Sequence, residues 1–333
     1  MPRVSVVLPV RDAETTLPTS LRSVSRQRLA DFECLVVDDG SRDASRRIAE
    51  DHARRDPRFR AIATAPRGVV HALSVGIEAS SAPLVARHDA DDWMHRDRLA
   101  LQLDALRAEP AWAGAGSHVR LFPREALGPG MRAYEAWLAS VRTPEDVGRE
   151  AFVECPLAHP TLVLRRELLD AHPYRDVGWP EDYDLLLRLL AAGATLGVVA
   201  RRLLGWRHAP GRLSRRSPVY SAERFTACKA HFLRRGILAT RPRYLLWGYG
   251  ATGRTLAKAL RAEARRPEAI VELHPGRVGQ TIAGAPVIAP DALGPPRGVP
   301  LLVSVAGADA RVRIRRELAR RGWEEGVDYL CCA

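Results

Sequence analysis

The sequence predicts an α/β protein in which a doubly wound, mainly parallel sheet is followed by a second, smaller α/β domain. Buried apolar runs alternate with helical patterns, polar clusters stand where the runs end, and the alternation restarts near residue 243. A length of 333 residues suits two domains of ordinary size. We therefore expect a first domain over 1–215, a helix and linker over 216–242, and a second domain over 243–333.

The first domain opens with the run VSVVLP at 4–9, which is typical of a parallel strand buried on both faces. Further strands are predicted over 32–37, 59–64, 83–88, 161–165 and 196–200. Helices are predicted over 15–28, 43–55, 68–79, 97–108 and 181–192. The pattern over 110–180 is otherwise mixed, and a basic loop at 206–212 is expected to end the domain. Ligands of such sheets bind beyond the carboxyl ends of the strands, so the polar clusters there are the first candidates for a site.

The second domain repeats the alternation on a smaller scale. Its strands are predicted over 244–247, 269–273 and 300–305, and its helices over 252–263 and 310–321. The first strand and helix are joined by a GxGxxG turn, whose glycines are Gly248, Gly250 and Gly253. Glu272 follows 24 residues after Gly248, near the spacing of an acid that binds ribose hydroxyls. The pattern predicts a Rossmann-like accessory domain that either holds NAD(P) or another nucleotide, or serves only assembly.

Composition narrows the class of protein. Five cysteines form no CxxC pair, which argues against a disulfide scaffold or a zinc cluster. The sequence contains no apolar run near the ~20 residues of a membrane span, and its first twelve residues do not read as a signal peptide. We expect a soluble, cytoplasmic protein.

The net charge of +12 invites a nucleic-acid hypothesis, but 49 of the 51 basic residues are arginines and they are dispersed along the chain. This skew is typical of GC-rich coding bias, so no nucleic-acid partner is predicted. Peripheral association with the anionic inner face of a membrane agrees better with the charge.

Three carboxylates stand within the four residues Asp89–Asp92, after a predicted strand. Such close like charges raise one another's pKa unless a cation intervenes, and Mg²⁺ or Mn²⁺ holding a diphosphate is the natural occupant. An EF-hand is excluded because Met94 stands where that loop needs glycine. The alternative is a solvated acidic turn at the start of a helix.

Two further clusters have the same ambiguity. Asp38 and Asp39 end a strand, where they either bind a base or ribose or form an Asx turn. Asp182 begins a helix, where it acts either as a general base for a hydroxyl or as a capping acid. His208 either ligates a metal or lies in a basic loop, and Arg67 either contacts phosphate or is a surface arginine.

The order and spacing of these clusters resemble the motifs of the family-2 glycosyltransferases, which are inverting enzymes with the GT-A fold. The matching stretches are VSVVLPVRDAE (4–14), VVDDGSRD (36–43), VARHDADDW (85–93), HPTLVLRREL (159–168) and PEDYDLLLRL (180–189). The resemblance covers about 1–215 and implies that a nucleotide-sugar, often a UDP-sugar, donates its sugar to an acceptor hydroxyl.

The resemblance also implies roles for single residues. The donor-binding set is Pro9, Glu14, Asp38, Asp39, Arg67 and Asp89. Asp91, the second acid of the DxD motif, would hold Mg²⁺ or Mn²⁺ together with His208, and Asp182 would be the catalytic base.

The expected function is therefore metal-dependent transfer of a sugar to a glycan or lipid-linked acceptor in cell-surface polysaccharide synthesis. Two alternatives belong to other classes. One is a non-catalytic nucleotide-sugar sensor that keeps the fold, and the other is an NAD(P)-dependent oxidoreductase centred on 243–333.

Overall fold

A computed structural model describes residues 1–209, 211 and 217–333. The contacts within the chain divide it into two units. The first unit comprises Met1–Val147, Leu157–Val177 and Asp184–Arg212. The second unit comprises Gly148–Pro156, Gly178–Tyr183 and Leu213–Ala333. The predicted boundary between 215 and 216 lies outside the described residues.

The first unit is built on one sheet. Its strands are β1 (Val4–Val10), β2 (Phe32–Asp38), β3 (Phe59–Ala63), β4 (Leu84–Arg87), β5 (Trp93–Met94), β6 (Trp112–Phe122), β7 (Val163–Arg165) and β8 (Thr195–Arg207). They lie in the order β3-β2-β1-β4-β7-β6-β8-β5. The first four strands in this order pair in parallel, β6 pairs in parallel with β8, and β7 and β5 pair antiparallel with their neighbours.

Helices follow the parallel strands as the sequence predicts. The α-helices up to residue 191 are α1 (Leu17–Ser25), α2 (Ser45–Arg55), α3 (Val69–Ala79), α4 (Arg98–Ala108), α5 (Pro129–Ser140), α6 (Pro144–Glu150), α7 (Arg166–Ala171) and α8 (Glu181–Ala191). The predicted buried strand is confirmed, because Val4, Val6 and Leu8 of β1 are 0% exposed. These apolar side chains form one core with those of α1, β2 and α4.

The expectation of a mixed segment after residue 110 missed the long strand β6. Its first half, AGAGS at 113–117, consists of small residues and lacks the apolar run by which strands are recognised. Close packing requires the small residues, since a Cβ on Gly114 would lie 2.4 Å from Leu164 Cδ2. A Cβ on Gly116 would lie 2.8 Å from Leu157 Cδ2.

The loop predicted at 206–212 begins two residues later than expected. Trp206 and Arg207 continue β8, where they pair with Leu121 and Phe122 of β6. The guanidinium of Arg207 lies over the Phe122 ring, 4.6 Å from its centroid, and this contact holds the charged side chain against the sheet. In the rest of the predicted loop, residues 210 and 212 lie outside the described residues.

The second unit contains a second sheet. Its strands are β9 (Arg243–Trp247), β10 (Arg266–Val271), β11 (Thr281–Ile282), β12 (Ala285–Ile288), β13 (Leu301–Val303) and β14 (Tyr329–Cys331). Its helices include α9 (Ala222–Arg235), α10 (Ala251–Ala262) and α11 (Ala308–Arg320). The strand order is β11-β12-β10-β9-β13-β14, and all neighbours except the β11–β12 hairpin are parallel. Strands β11, β12 and β14 were not predicted from the sequence, because they are only two to four residues long.

Polar contacts hold the segment Gly148–Pro156 in the second unit. Arg315 of α11 donates to Glu150 Oε1 at 2.8 Å and also pairs with Glu325 at 2.9 Å. The ammonium of Lys229 donates to the carbonyls of Val153 and Cys332 at 3.1 and 2.7 Å. Within the described residues, no helix combines the length and apolar character needed to cross a bilayer.

A buried polar pair on α4 links the strands of the first sheet. Arg98 and Gln102 are both 0% exposed, and Arg98 Nε donates to Gln102 Oε1 at 3.0 Å. Arg98 Nη2 donates to the carbonyl of Arg87, at the end of β4, at 3.0 Å. Gln102 Nε2 donates to Ala115 O in β6 at 2.9 Å and to Thr161 O at 2.8 Å. The pair therefore connects β4 to the strands of the other half of the sheet.

We expect Arg98→Met to lower the free energy of unfolding by about 1–4 kcal/mol, because the variant leaves buried carbonyls without their donor. Arg107→Met on the same helix is the matched control. The Arg107 side chain is 67% exposed, and its ion pair among the described residues is with exposed Asp104, so its loss should change stability by less than about 1 kcal/mol. Urea unfolding of both variants is the measurement, and equal midpoints would contradict the role of Arg98.

We also expect Gly197→Ala in β8 to destabilise the chain by about 1–3 kcal/mol. A Cβ at this position would lie 1.8 Å from Cε3 of Trp112, a ring with little freedom to move. Gly128→Ala is the control, because a Cβ there meets no described atom within 4 Å. Thermal unfolding of the two variants compares them directly, and a Gly197→Ala variant as stable as the control would refute the packing argument.

Candidate functional site

The carboxyl ends of three neighbouring parallel strands carry the polar clusters of the first unit. In the sheet, β1 lies between β2 and β4, and all three run in the same direction. The residues that follow them therefore gather at one edge of the sheet, where ligands of α/β proteins bind. These residues are Arg11–Glu14 after β1, Asp39–Asp43 after β2 and His88–Asp92 after β4.

The carboxylates of Asp89, Asp91 and Asp92 lie together. One oxygen from each lies within 4.8 Å of the others. Oxygen donors of this kind are the ligands that Mg²⁺ and Mn²⁺ prefer. The residues present therefore fit a hard divalent cation.

The three carboxylates have different surroundings. Asp92 is 2% exposed, and its Oδ1 accepts the backbone N–H of Arg207 at 2.8 Å. Asp89 pairs with the guanidinium of Arg87. Asp91 is partly exposed, and its backbone carbonyl accepts from Arg207 Nε at 2.8 Å. Asp92 thus connects the motif to β8, whereas Asp91 is more exposed to solvent.

A buried cation lies beneath this group. Burial, together with the neighbouring charge of Arg87, lowers the pKa of Arg98 to about 9, although Asp92 and Asp89 act in the opposite direction. Arg98 therefore stays charged at neutral pH. His88 is 0% exposed, and burial holds its pKa well below the usual range, so it is neutral. Neither Arg98 nor Arg207 was among the predicted site residues, because their roles depend on contacts with residues distant in the chain.

Asp39 holds the loop before α3. Its Oδ1 accepts the backbone N–H of Arg67 at 2.8 Å, and its Oδ2 accepts that of Gly68 at 2.9 Å. Arg11 Nη1 approaches the same Oδ2 at 3.3 Å. The backbone of Arg67 is therefore fixed by Asp39, while its side chain is exposed.

Asp38 and Glu14 complete this region. Asp38 is 4% exposed, and its Oδ1 has no hydrogen-bond partner in the described part of the chain. Glu14 Oε2 accepts the N–H of Ala44 at 2.9 Å, while the N–H of Glu14 donates to Asp43 Oδ2 at 2.9 Å. These bonds join the loops after β1 and β2, and half-buried Pro9 lies near the end of β1. The structure therefore brings the predicted donor-binding residues to one edge of the sheet.

Asp182 stands in the first turn of α8, between two buried acids. Glu181 is 5% exposed and accepts from the hydroxyl of Tyr220 at 2.6 Å. Asp184 is 0% exposed and pairs with Arg175 and Arg188, each at 2.7 Å. Of these three acids, only Asp182 is partly exposed. By their contacts, residues 178–183 belong to the second unit and Asp184 belongs to the first.

His208 is partly exposed and follows β8 directly, and its backbone N–H donates to Phe122 O at 2.7 Å. Its ring is not part of the acidic group. Within the described residues, the side chains whose ligand atoms lie close enough together to hold a metal are those of Asp89, Asp91 and Asp92.

In the second unit, the GxGxxG turn joins β9 to α10 as predicted. Gly248 has a φ of +92°, and Gly250 is the N-cap of α10. Glu272 comes directly after β10, and its Oε1 accepts the N–H of Tyr249 at 2.8 Å. The four predicted residues of this domain therefore belong to one local arrangement.

The chain is similar to known glycosyltransferases. The model of the family described as glycosyl transferase family 2 matches residues 5–172, just over half of the chain. EpsH of Bacillus subtilis, a glycosyltransferase by name, is 38% identical over 96 residues. This match covers 29% of the chain and 28% of EpsH, so the chain spans well under two thirds of that relative.

Solved structures show the same fold. The structure of S. aureus TarS 1–349 in complex with UDP aligns with a TM-score of 0.53 at 17% identity, over 78% of this chain and 71% of TarS. A mannosyltransferase from Pyrobaculum calidifontis, in complex with GDP-Man and Mn²⁺, aligns with a TM-score of 0.50 at 19% identity, over 79% and 69% of the two chains. The predicted GT-A architecture is thus confirmed, and the chain belongs to glycosyl transferase family 2.

Proposed function

We propose that the protein is a metal-dependent, inverting glycosyltransferase that moves a sugar from a uridine diphosphate sugar to an acceptor hydroxyl in cell-surface polysaccharide synthesis. The acidic group at the end of β4, in a chain of this family, is the observation that carries the proposal. The TarS complex with UDP supports the choice of nucleotide. The acceptor we propose is a glycan or a lipid-linked glycan, which agrees with the basic character of the chain.

The donor would bind across the loops that follow β1, β2 and β4. Asp38 has a buried Oδ1 that is not satisfied within the described residues, so it is suited to accept a hydrogen bond from the nucleoside. Asp39 and Glu14 would act by holding the loops that form the pocket, and Pro9 would line it. The exposed guanidinium of Arg67 is suited to contact phosphate, while Asp89 would contact the ribose or the sugar.

Asp91 of the acidic group would hold Mg²⁺ or Mn²⁺ on the donor diphosphate, and His208 is the further ligand that we propose. When bound, such an ion stabilises negative charge on phosphate oxygens. The role of the protein is to keep the carboxylates together, and the buried charge of Arg98 reduces their mutual repulsion.

Asp182 is the proposed general base. The acceptor oxygen attacks the anomeric carbon from the face opposite the diphosphate, and the bond from that carbon to the diphosphate oxygen breaks. The acceptor proton passes to the Asp182 carboxylate, and the nucleoside diphosphate leaves. This single displacement inverts the anomeric centre. The partial exposure of Asp182 beside two buried acids supports this choice.

We assign the catalytic domain to 1–215, the connecting helix and linker to 216–242, and an accessory role to the Rossmann-like domain at 243–333. A cytoplasmic location at the inner face of a membrane is part of the same proposal.

Asp91→Asn should abolish Mn²⁺-dependent UDP binding, because it removes one charge from the metal group. Calorimetric titration of UDP with and without Mn²⁺ measures this effect. Asp104→Asn, which alters an acid with a 65% exposed side chain on α4, is the control and should bind as the wild type does. Metal-dependent binding that survives in Asp91→Asn would overturn the assignment.

Asp182→Asn should lower the rate of sugar transfer by about 10²–10⁴-fold and leave UDP affinity unchanged, since the amide cannot accept the proton. Release of UDP from a panel of UDP-sugars in the presence of glycan acceptors is the assay. Asp176→Asn, at an exposed position before α8, is the control. A wild type that binds UDP yet transfers no sugar would identify a sensor, and a lost UDP affinity in Asp182→Asn would assign that residue to binding.

A further inference from the structure

Two glycines of the GxGxxG turn in the second unit allow backbone and side chains to pack closely around the turn. A Cβ on Gly253 would lie 2.1 Å from Gly248 O, so this glycine is required for α10 to pack against the end of β9. Gly248 has a φ of +92°, and a Cβ there would lie 2.5 Å from Val305 Cγ2. The fold itself thus explains both glycines.

Neither close packing nor backbone conformation requires a glycine at position 250. It has an ordinary φ of −72°, and a Cβ at this position would meet no described atom within 4 Å. The residue is exposed, as are Ala251 and Thr252 in the first turn of α10. The N–H groups of this turn have no partner within the helix, so a glycine here leaves room for an anion to reach them.

Ser304 supplies an independent observation. It follows β13 and is 2% exposed, yet its Oγ has no hydrogen-bond partner among the described residues. Its Cβ lies 3.8 Å from the position of a Cβ on Gly253, and its carbonyl accepts from Thr252 Oγ1 at 3.0 Å. The side chain of Ser304 therefore lies next to the first turn of α10. A buried hydroxyl without a partner is costly, and a ligand or its water would satisfy it.

The strand order places this turn at a ligand-binding position. The chain moves from β9 to β10 and β12 on one side and returns to β13 on the other side of β9. The order therefore reverses between β9 and β13, whose carboxyl ends carry Gly248 and Ser304. Crevices at such reversals are where open parallel sheets bind ligands.

The loop after β10 offers groups suited to a nucleoside. Glu272 Oε1 accepts the N–H of Tyr249 at 2.8 Å and contacts Arg277 Nη1 at 3.2 Å. Both contacts use the same oxygen, so Oε2 is suited to accept from a ribose hydroxyl. Leu273 beside it is 75% exposed and offers an apolar surface to a base.

We propose that the second unit binds a ribonucleoside diphosphate at this crevice without a metal. The diphosphate lies at the N–H groups of the first turn of α10, next to Gly250, and the ribose lies on Glu272. A ribonucleoside diphosphate occurs both as a free molecule and as part of a nucleotide-sugar. This site is separate from the acidic group of the first unit, and the proposal does not depend on the transferase function.

Calorimetric titration of the full chain in EDTA, with UDP, GDP, ADP and CDP as probes, tests the proposal. At least one probe should bind with a stoichiometry of one. Gly250→Val should weaken that binding by about tenfold or more, because its side chain fills the space next to the phosphate. Gly128→Val is the matched control, because Gly128 is also an N-cap with a φ of −72° and open space around it. It should leave the affinity unchanged.

Glu272→Gln adds a second readout. The amide oxygen still accepts from Tyr249, but the amide nitrogen that replaces the second oxygen cannot accept from a ribose hydroxyl. The wild type should bind the ribonucleotide about tenfold more tightly than its 2′-deoxy form, and the variant should lose this preference.

Titration with the matching nucleotide-sugar identifies the source of the ligand. Tighter binding of the free nucleoside diphosphate indicates that it is the natural ligand of this site. Tighter binding of the nucleotide-sugar indicates that the site takes the sugar-bearing form. An absence of binding by all four nucleotides, or equal affinity of the wild type and Gly250→Val, would overturn the proposal.

Discussion

The interaction on which the first unit depends is the contact of one buried cation with the end of β4. Three carboxylates within four residues repel one another, and a fold that gathers them needs a positive charge close by. Arg87, which pairs with Asp89, and the buried Arg98 supply that charge, and a hydrogen bond from Arg98 reaches the carbonyl of Arg87. Gln102 extends the same connection to β6. Arg98 therefore contributes to electrostatic compensation and, together with Gln102, to the geometry of the sheet.

The acidic residues at the carboxyl edge of the first sheet have two kinds of role. Some hold neighbouring backbone in place, and others are accessible to a ligand. Asp92 and Asp39 use their oxygens for backbone N–H groups of Arg207, Arg67 and Gly68, and so they determine where neighbouring loops lie. Asp91 is partly exposed instead. Aspartates that look alike in the sequence therefore have different roles in the structure, because their carboxylates have different hydrogen-bond partners.

The many arginines also have more than one role. Their number relative to lysine indicates coding bias, yet several have buried guanidinium groups that hold the structure together. Arg311 and Arg315 of α11 face Glu150, and Arg315 contacts Glu325 as well. The planar fork of arginine allows such multiple contacts, which a lysine at the same position would not reproduce. Composition alone therefore does not show which structural roles these arginines have.

The sequence by itself determined the features that depend on local pattern. Apolar runs and helical periodicity identified β1 to β4 and their helices, and the order of the acidic clusters indicated the family. Only the tertiary structure decided what depends on distant partners. It revealed β6, whose small residues are dictated by packing against Leu164 and Leu157, and it extended β8 through Arg207. It also separated Asp182, which is partly exposed, from its buried neighbours Glu181 and Asp184. The physical reason is that the exposure and charge environment of a side chain are set by contacts across the fold, which no short stretch of sequence contains.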